Sequence, residues 1–442
     1  MHNLALALHA QGHHVTGSDD RIYDPSRSRL ASAGLLPPKE GWFPGKIVPE
    51  LDAVILGKHA HADNPELKAA NERGLPVFSF PEFVYEQARD KQRIVVAGSH
   101  GKTTITAMLM HALKAAGREF DYLVGAHVPG FDQMVKLSKT APFILLEGDE
   151  YPASSVDPTP KFLHYHPHIL ILTGIAWDHI NAFPSPESYE LQFEKLLQTV
   201  PKAGTVIYNK DEKNLKELVS RVLDKEAHYA IPYHAPKYKY REGQPHIKFR
   251  KKYTPVQLYG KHNMANYMAA FCLLEELAMQ HDEIKSLLSA FKGAGLRMQN
   301  IYEDDQLVII RDYAHAPSKV SATVEAVQER YKHRNLVAGL ELSTYSSLNK
   351  TFLPQYADSL RKVKDAVIFI DQRNLEVKRL ENIDEAFLRE AFNHKTLELT
   401  HNPADFEARL RSKLTGEDAL LLMSSGNLGG LNPEAFEPNR PL

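Results

Sequence analysis

The chain has one cysteine, Cys272, in 442 residues, so no intrachain disulfide can form. Without staples the fold must rest on buried cores. A lone thiol in Ala270-Phe271-Cys272-Leu273 reads as one face of a helix in a reducing, cytoplasmic compartment. No apolar run approaches the roughly 20 residues of a bilayer span, which excludes a membrane partner from the expectations. Charge of one sign is also missing. Lys and Arg total 53 against 55 Asp and Glu, a net of −2, so nothing draws the chain toward nucleic acid. The 22 histidines form no Cys/His ladder, and no structural zinc site is expected. Repeats and low-complexity tracts are absent.

What is present is an α/β rhythm. Helix Asn3–Ala10 is followed by short strands at His14-Val15-Thr16, Asp52–Leu56 and Pro76–Ser79, with a helix from Glu66 to Glu72 closed by Gly74. A second block alternates strands Ile94–Ala97, Phe143–Leu146, Ile169–Leu172 and Thr205–Tyr208 with helices. Residues 225–260 look antiparallel, and Asn263–Ala278 is helical. A third block carries strands Leu307–Ile310, Leu336–Leu340, Val367–Ile370 and Ala419–Met423. The reading is three α/β domains, at 1–90, 91–294 and 295–442.

The most informative segment is Val95-Val96-Ala97-Gly98-Ser99-His100-Gly101-Lys102-Thr103-Thr104. An apolar strand meets a Gly-x-x-Gly turn and then a helix. Glycines let backbone N–H groups approach phosphate, the helix start adds partial positive charge, Lys102 adds a full one, and Thr103 offers a hydroxyl to Mg²⁺. The loop is two residues shorter than the usual G-x-x-x-x-G-K-[ST]. It predicts a nucleotide cradle built from Gly98, Ser99, His100, Gly101, Lys102, Thr103 and Thr104. Two more strands end in polar residues, Glu147-Gly148-Asp149-Glu150-Tyr151 and Thr173-Gly174-Ile175-Ala176-Trp177-Asp178-His179. Ligands of open α/β sheets bind beyond such strand ends. Glu147, the first acid off its strand, is the expected Mg²⁺ ligand. Asp149 and Glu150 suit a solvated loop equally well. His179 could hold a second ion or a phosphate.

Gly-Ser-His-Gly-Lys-Thr-Thr, Glu-Gly-Asp-Glu-Tyr, Trp-Asp-His, the run Gly260-Lys261-His262-Asn263-Met264-Ala265-Asn266, Gly-Ala-Gly-Leu-Arg ending at Arg297, and Asp312-Tyr313-Ala314-His315-Ala316-Pro317 occur in this order. The order and spacing resemble the Mur ligase family over essentially the whole chain. The resemblance implies a truncated Rossmann-like N-terminal domain, a central P-loop ATPase domain and a C-terminal Rossmann-like domain. It implies ATP and Mg²⁺ as cofactors and UDP-N-acetylmuramate plus an amino-acid or peptide amine as partners. In its terms Lys102 holds phosphates, and Thr103, Glu147 and His179 hold metal. Asn263, placed at its helix start, and Asn266 meet adenine. Arg297, Asp312 and His315 reach the nucleotide when the third domain closes. Asn263 and Asn266 also suit a helix cap, and Arg297 a surface ion pair.

Within the family, Tyr151 and the run Lys161-Phe162-Leu163-His164-Tyr165-His166-Pro167 resemble the branch that reattaches the recycled tripeptide L-alanyl-γ-D-glutamyl-meso-diaminopimelate. The glycine-rich end Met423–Gly430 does so too. The alternatives are the alanine-adding ligase, a non-catalytic nucleotide-sugar binder and an unrelated P-loop ATPase. The last explains Gly-Lys-Thr-Thr but not the later motifs. Two departures stand out. Leu296 occupies a usual second Arg, and Glu341-Leu342-Ser343-Thr344-Tyr345 replaces an Arg-containing peptide-binding stretch. Met1-His2-Asn3-Leu4-Ala5 resembles the helix just after the family's first glycine turn. That reading makes Met1 an internal methionine of a longer protein and predicts weak UDP-sugar binding, with Lys58 and His59 left to meet the diphosphate.

Overall fold

The computed structural model describes residues 1–58, 60–249 and 252–438, so His59 lies outside the described residues. The chain forms two compact units. One comprises Met1–Gly98, Ile105–Ile175 and Glu190–Pro232; the other comprises Ser99–Thr104, Ala176–Tyr189 and Tyr233–Leu442. No helix among the described residues is long and apolar enough to cross a membrane.

The first unit opens with α1 (His2–Ala10), which buries Leu4, Leu6, Ala7 and Leu8, and a short α2 (Ser26–Ser32). β1 (Val54–Leu56) pairs in parallel with β2 (Val77–Ser79) across α3 (Pro65–Glu72). Asn64 caps α3 by accepting from Glu66 N and Leu67 N, and Gly74 ends it in the left-handed region. The expected strand at His14–Thr16 does not form. That stretch has a single apolar residue, Val15, which gives a strand no face to bury; instead the chain makes one bridge, Asp19 to Gly41.

Helix α4 (Phe80–Glu86) leads into a seven-stranded sheet. Its members are β3 (Gln92–Ala97), β4 (Asp121–Leu123), β5 (Val135–Lys136), β6 (Phe143–Glu147), β7 (Ile169–Leu172), β8 (Thr205–Asn209) and β9 (Tyr229–Tyr233). They are ordered β5-β4-β6-β3-β7-β8-β9. Between them run α5 (Lys102–Ala115), α6 (Pro186–Gln198) and α7 (Lys213–Val222). The central strand β3 is buried along Arg93–Ala97 and is parallel to both β6 and β7. This is why its sequence reads as an unbroken apolar run. Its register sets Val96 opposite Glu147 and Ala97 opposite Leu172, so Glu147 and Thr173 leave the sheet beside Gly98.

The second unit contains an antiparallel meander, β10 (Tyr238–Arg241), β11 (Gln244–Phe249) and β12 (Lys252–Pro255). Helices α8 (Lys261–Glu276) and α9 (His281–Ser289) follow. Helix α8 starts two residues before the expected Asn263, because Gly260 at φ +86 turns the chain into it. A Cβ on Gly260 would come within 2.3 Å of Ala326 Cβ. The remaining elements are β13 (Gln299–Glu303), β14 (Leu307–Asp312), α10 (Pro317–Arg330), β15 (Asn335–Glu341), β16 (Asp365–Phe369), α11 (Gln372–Lys378), α12 (Glu385–Phe392), β17 (Leu397–Thr400), α13 (Pro403–Lys413) and β18 (Asp418–Met423). The six strands lie in the order β13-β14-β18-β15-β16-β17, with only β13 antiparallel. The sheet is covered on both faces. One face meets Val320, Val324, Leu353, Tyr356 and Phe392, and the other meets Phe406, Leu410 and Phe436.

Candidate functional site

The loop after β3 is shaped by two glycines in backbone conformations that other residues rarely adopt. Gly98 has φ +123, and a Cβ there would lie 2.3 Å from Thr173 Oγ1 and 2.9 Å from Thr173 N. Gly101 has φ +77, and a Cβ there would lie 2.3 Å from Asn266 Oδ1. Both combine a backbone conformation reserved for glycine with a close approach. Asn266 is itself fixed. Its Nδ2 donates to Asn263 Oδ1 at 3.2 Å, and Asn263 Nδ2 donates to Tyr259 O at 3.0 Å. The two asparagines are buried and engage each other rather than cap the helix. Beyond Gly101 the helix α5 begins directly at Lys102, with Thr103 and Thr104 buried. This start presents backbone N–H groups and the Lys102 ammonium to an anion.

Around this helix start the second unit assembles a charged cluster. Asp178 is buried and pairs with Lys319 Nζ at 3.5 Å. His179 Nδ1 stands 3.8 Å from Asp178 Oδ1, and the His179 backbone N–H donates to the same oxygen at 2.7 Å. His179 sits in the left-handed region at φ +60, a conformation uncommon for a non-glycine residue and a frequent mark of functional loops. Burial works to raise the Asp178 pKa; Lys319, His179 and His315 outweigh it and hold the carboxyl below its usual range. His100 and Ser318 Oγ are hydrogen-bonded at 2.8 Å. Burial, with Lys319 and Lys102 adding repulsion, pushes His100 down to about 3. Burial and Lys319 likewise push His315 down, while its Nδ1 faces Tyr313 O at 2.8 Å. His100 and His315 are therefore held neutral beside the Lys319 ammonium.

This neutrality has a measurable consequence. Free histidine takes its proton near 6.5, so between 6.5 and about 3 the unfolded chain binds a proton that folded His100 refuses. Stability from this source is complete above pH 6.5 and falls as pH drops, by up to about 1.4 kcal/mol per pH unit. The fall in urea midpoint between pH 7 and pH 5 should be shallower in His100→Gln. Equal slopes would mean that His100 protonates in the folded state.

Asp312 and Arg297 are placed by the end of β14. Asp312 is buried and accepts from Met298 N at 2.7 Å, Ala314 N at 2.8 Å and Thr323 Oγ1 at 3.2 Å. It braces the loop that carries His315. Arg297 stacks over the Tyr313 ring at 4.1 Å, between Leu296 at φ +56 and Met298 at φ +49. Glu341, at the end of β15, accepts from Leu428 N at 2.7 Å and from Ser424 Oγ, and so ties down the glycine-rich end of β18.

In the first unit, Glu147 ends β6 and its Oε2 accepts from Gly125 N at 2.9 Å. Asp149 pairs with Lys161 at 2.5 Å, whereas Glu150 is buried. Lys58 places its ammonium 4.0 Å from the centre of the Tyr151 ring, and burial, then Lys161, lowers its pKa. Sequence reasoning did not find Lys319 or Ser318. They follow a recognised loop, but only the fold shows that they face Asp178 and His100.

The chain is similar to known proteins over most of its length. The Mur ligase middle-domain profile matches residues 96–274, the glutamate ligase domain profile 296–426, and the Mur ligase family catalytic-domain profile 1–92. A UDP-N-acetylmuramate–L-alanine ligase of Limosilactobacillus reuteri is 31% identical, over 82% of this chain and 80% of its own. A UDP-N-acetylmuramate–L-alanyl-γ-D-glutamyl-meso-2,6-diaminoheptandioate ligase of Haemophilus influenzae is 25% identical, over 99% of this chain and 96% of its own. The crystal structure of a murein peptide ligase from Psychrobacter arcticus superposes with a TM-score of 0.66 at 22% identity, covering 97% of this chain and 94% of that one.

Proposed function

We propose a reaction from one premise: the chain belongs to the Mur ligase family and is an ATP-dependent ligase. In this reading it joins L-alanyl-γ-D-glutamyl-meso-diaminopimelate to the lactyl carboxylate of UDP-N-acetylmuramate. The reaction is cytoplasmic and serves peptidoglycan recycling. The observation that carries the phosphate chemistry is the Gly98–Lys102 turn, whose Gly98 lies against Thr173 and whose Gly101 lies against Asn266.

A carboxylate is a poor target for an amine because oxide is a poor leaving group. Phosphorylation by ATP gives an acyl phosphate, which the α-amine attacks to release phosphate and form the amide. The protein's contribution is position and charge. Lys102 neutralises phosphate oxygens. Thr103, Glu147 and His179 are the candidates for holding Mg²⁺; the hydroxyl and the carboxylate are the hard oxygen donors the ion takes, His179 is the softest donor of the three, and the ion would neutralise phosphate charge. Lys319 holds Asp178 ionised beside His179. Arg297, Asp312 and His315 contribute from the strand-end loops.

The tripeptide is preferred over L-alanine for the sake of Tyr151 and the Lys161–Pro167 run. The Tyr151 ring supports the Lys58 ammonium, which a serine at that position would not do. The second reading is L-alanine addition, favoured by the higher identity of the Limosilactobacillus relative. The two separate in a competition experiment. With both amines at equal concentration, mass spectrometry should find the tripeptide adduct in excess by at least about tenfold, a difference of about 1.4 kcal/mol in the barrier. An excess of the alanine adduct would transfer the assignment to the second reading.

A further inference from the structure

We propose that Glu82, Asp157 and His164 form a binding site for a borderline divalent ion such as Zn²⁺. It is separate from the nucleotide chemistry and does not depend on the ligase reading. Each residue offers one ligand atom, and the three atoms lie within 4.8 Å of one another. The distance from His164 Nε2 to Asp157 Oδ2 is 3.0 Å. That nitrogen is buried and the pair stands at ion-pair distance, yet its angle makes no hydrogen bond, which leaves the nitrogen aimed at the carboxylate but unsatisfied. Ligands about 2.1 Å from a tetrahedral ion are about 3.4 Å apart. The Asp157–His164 pair already has nearly that spacing, and Glu82 needs only a side-chain adjustment.

Both carboxylates are aimed by bonds that leave an oxygen over. Glu82 Oε2 accepts from Ser79 N at 2.7 Å, at the start of α4. Asp157 Oδ1 accepts from Thr159 N at 3.0 Å. The loop around Asp157 is held by Ser154 N to Asp157 O at 3.1 Å and Ala153 N to Thr159 O at 2.8 Å. Orientation of ligands by such outer bonds is what built metal sites share. One imidazole with two carboxylates suits Zn²⁺, Co²⁺ or Mn²⁺. Mg²⁺ prefers all-oxygen surroundings, and Cu(I) prefers sulfur. Three protein ligands leave a position for water. The expectation of no structural zinc site rested on Cys/His spacing. Here α4, a loop and the short helix Lys161–Tyr165 supply one ligand each or its support, at separations that sequence does not reveal. The ion would fasten the 152–160 loop to α4, next to the Lys161–Asp149 pair.

The test uses the full chain, stripped with chelator and without nucleotide, in excess Mg²⁺. Zn²⁺ should bind at one ion per chain in calorimetry and raise the melting temperature, and Co²⁺ should give a visible d–d band. His164→Gln should abolish all three signals. If that variant does not fold, Glu82→Gln serves, because its amide oxygen can still accept from Ser79 N. Absence of Zn²⁺ binding in the wild type, or binding unchanged in the folded variants, overturns the site.

Discussion

Lys102→Ala should lower turnover about a thousandfold or more while the melting temperature moves by no more than a few degrees. The two halves of this expectation have different origins. Lys102 is half-buried at the first position of α5, where alanine is at least as good a helix former, so the fold loses little. At the phosphates its charge acts in the transition state, where losing one preorganised donor typically costs a hundred- to a thousandfold, and a full cation costs more. The checks are steady-state kinetics and a thermal melt on the same preparation. Near-normal turnover in a folded Lys102→Ala protein would remove the Gly98–Thr104 turn from the reaction.

Gly98→Ala should be strongly damaging for a single added methyl. The φ of +123 strains any L-residue, and the new Cβ would sit 2.3 Å from Thr173 Oγ1, 2.9 Å from Thr173 N and 2.9 Å from Gly174 O. Two of these atoms are backbone and cannot swing away. Relief requires moving the end of β3 or of β7, at a cost of about 2–4 kcal/mol. ATP affinity should fall by about a hundredfold, because the turn that aims the N–H groups is displaced. Denaturant midpoints and nucleotide titration test the two losses separately. A variant of wild-type stability and affinity would show that the turn tolerates a side chain and is not a close-fitting cradle.

The strands were legible because the inner strands of both large sheets are parallel and buried, so β3, β6, β7, β14, β15, β16 and β18 are short apolar runs with polar residues after them. The cradle was legible because its glycines are required by backbone geometry. Other features were hidden for physical reasons. Edge strand β13 is polar, Gln299-Asn300-Ile301-Tyr302-Glu303, and carries no apolar period. The partnership of Lys319 with Asp178 joins residues 141 apart. Asn263 reads as a cap from sequence, yet Gly260 starts α8 earlier and turns Asn263 toward Tyr259 O. Glu341, in the stretch that departs from the family's Arg-containing peptide-binding residues, is engaged by Leu428 N and Ser424 Oγ, a role that sequence does not reveal.

The central claim is that phosphoryl transfer to a carboxylate precedes amide formation on this chain. It is tested most directly by following an atom. UDP-N-acetylmuramate carrying heavy oxygen in its lactyl carboxylate, incubated with the protein, Mg²⁺, ATP and the tripeptide, should yield inorganic phosphate with one heavy oxygen per amide formed. Phosphate released without label, or no amide from any amine offered, would contradict the account.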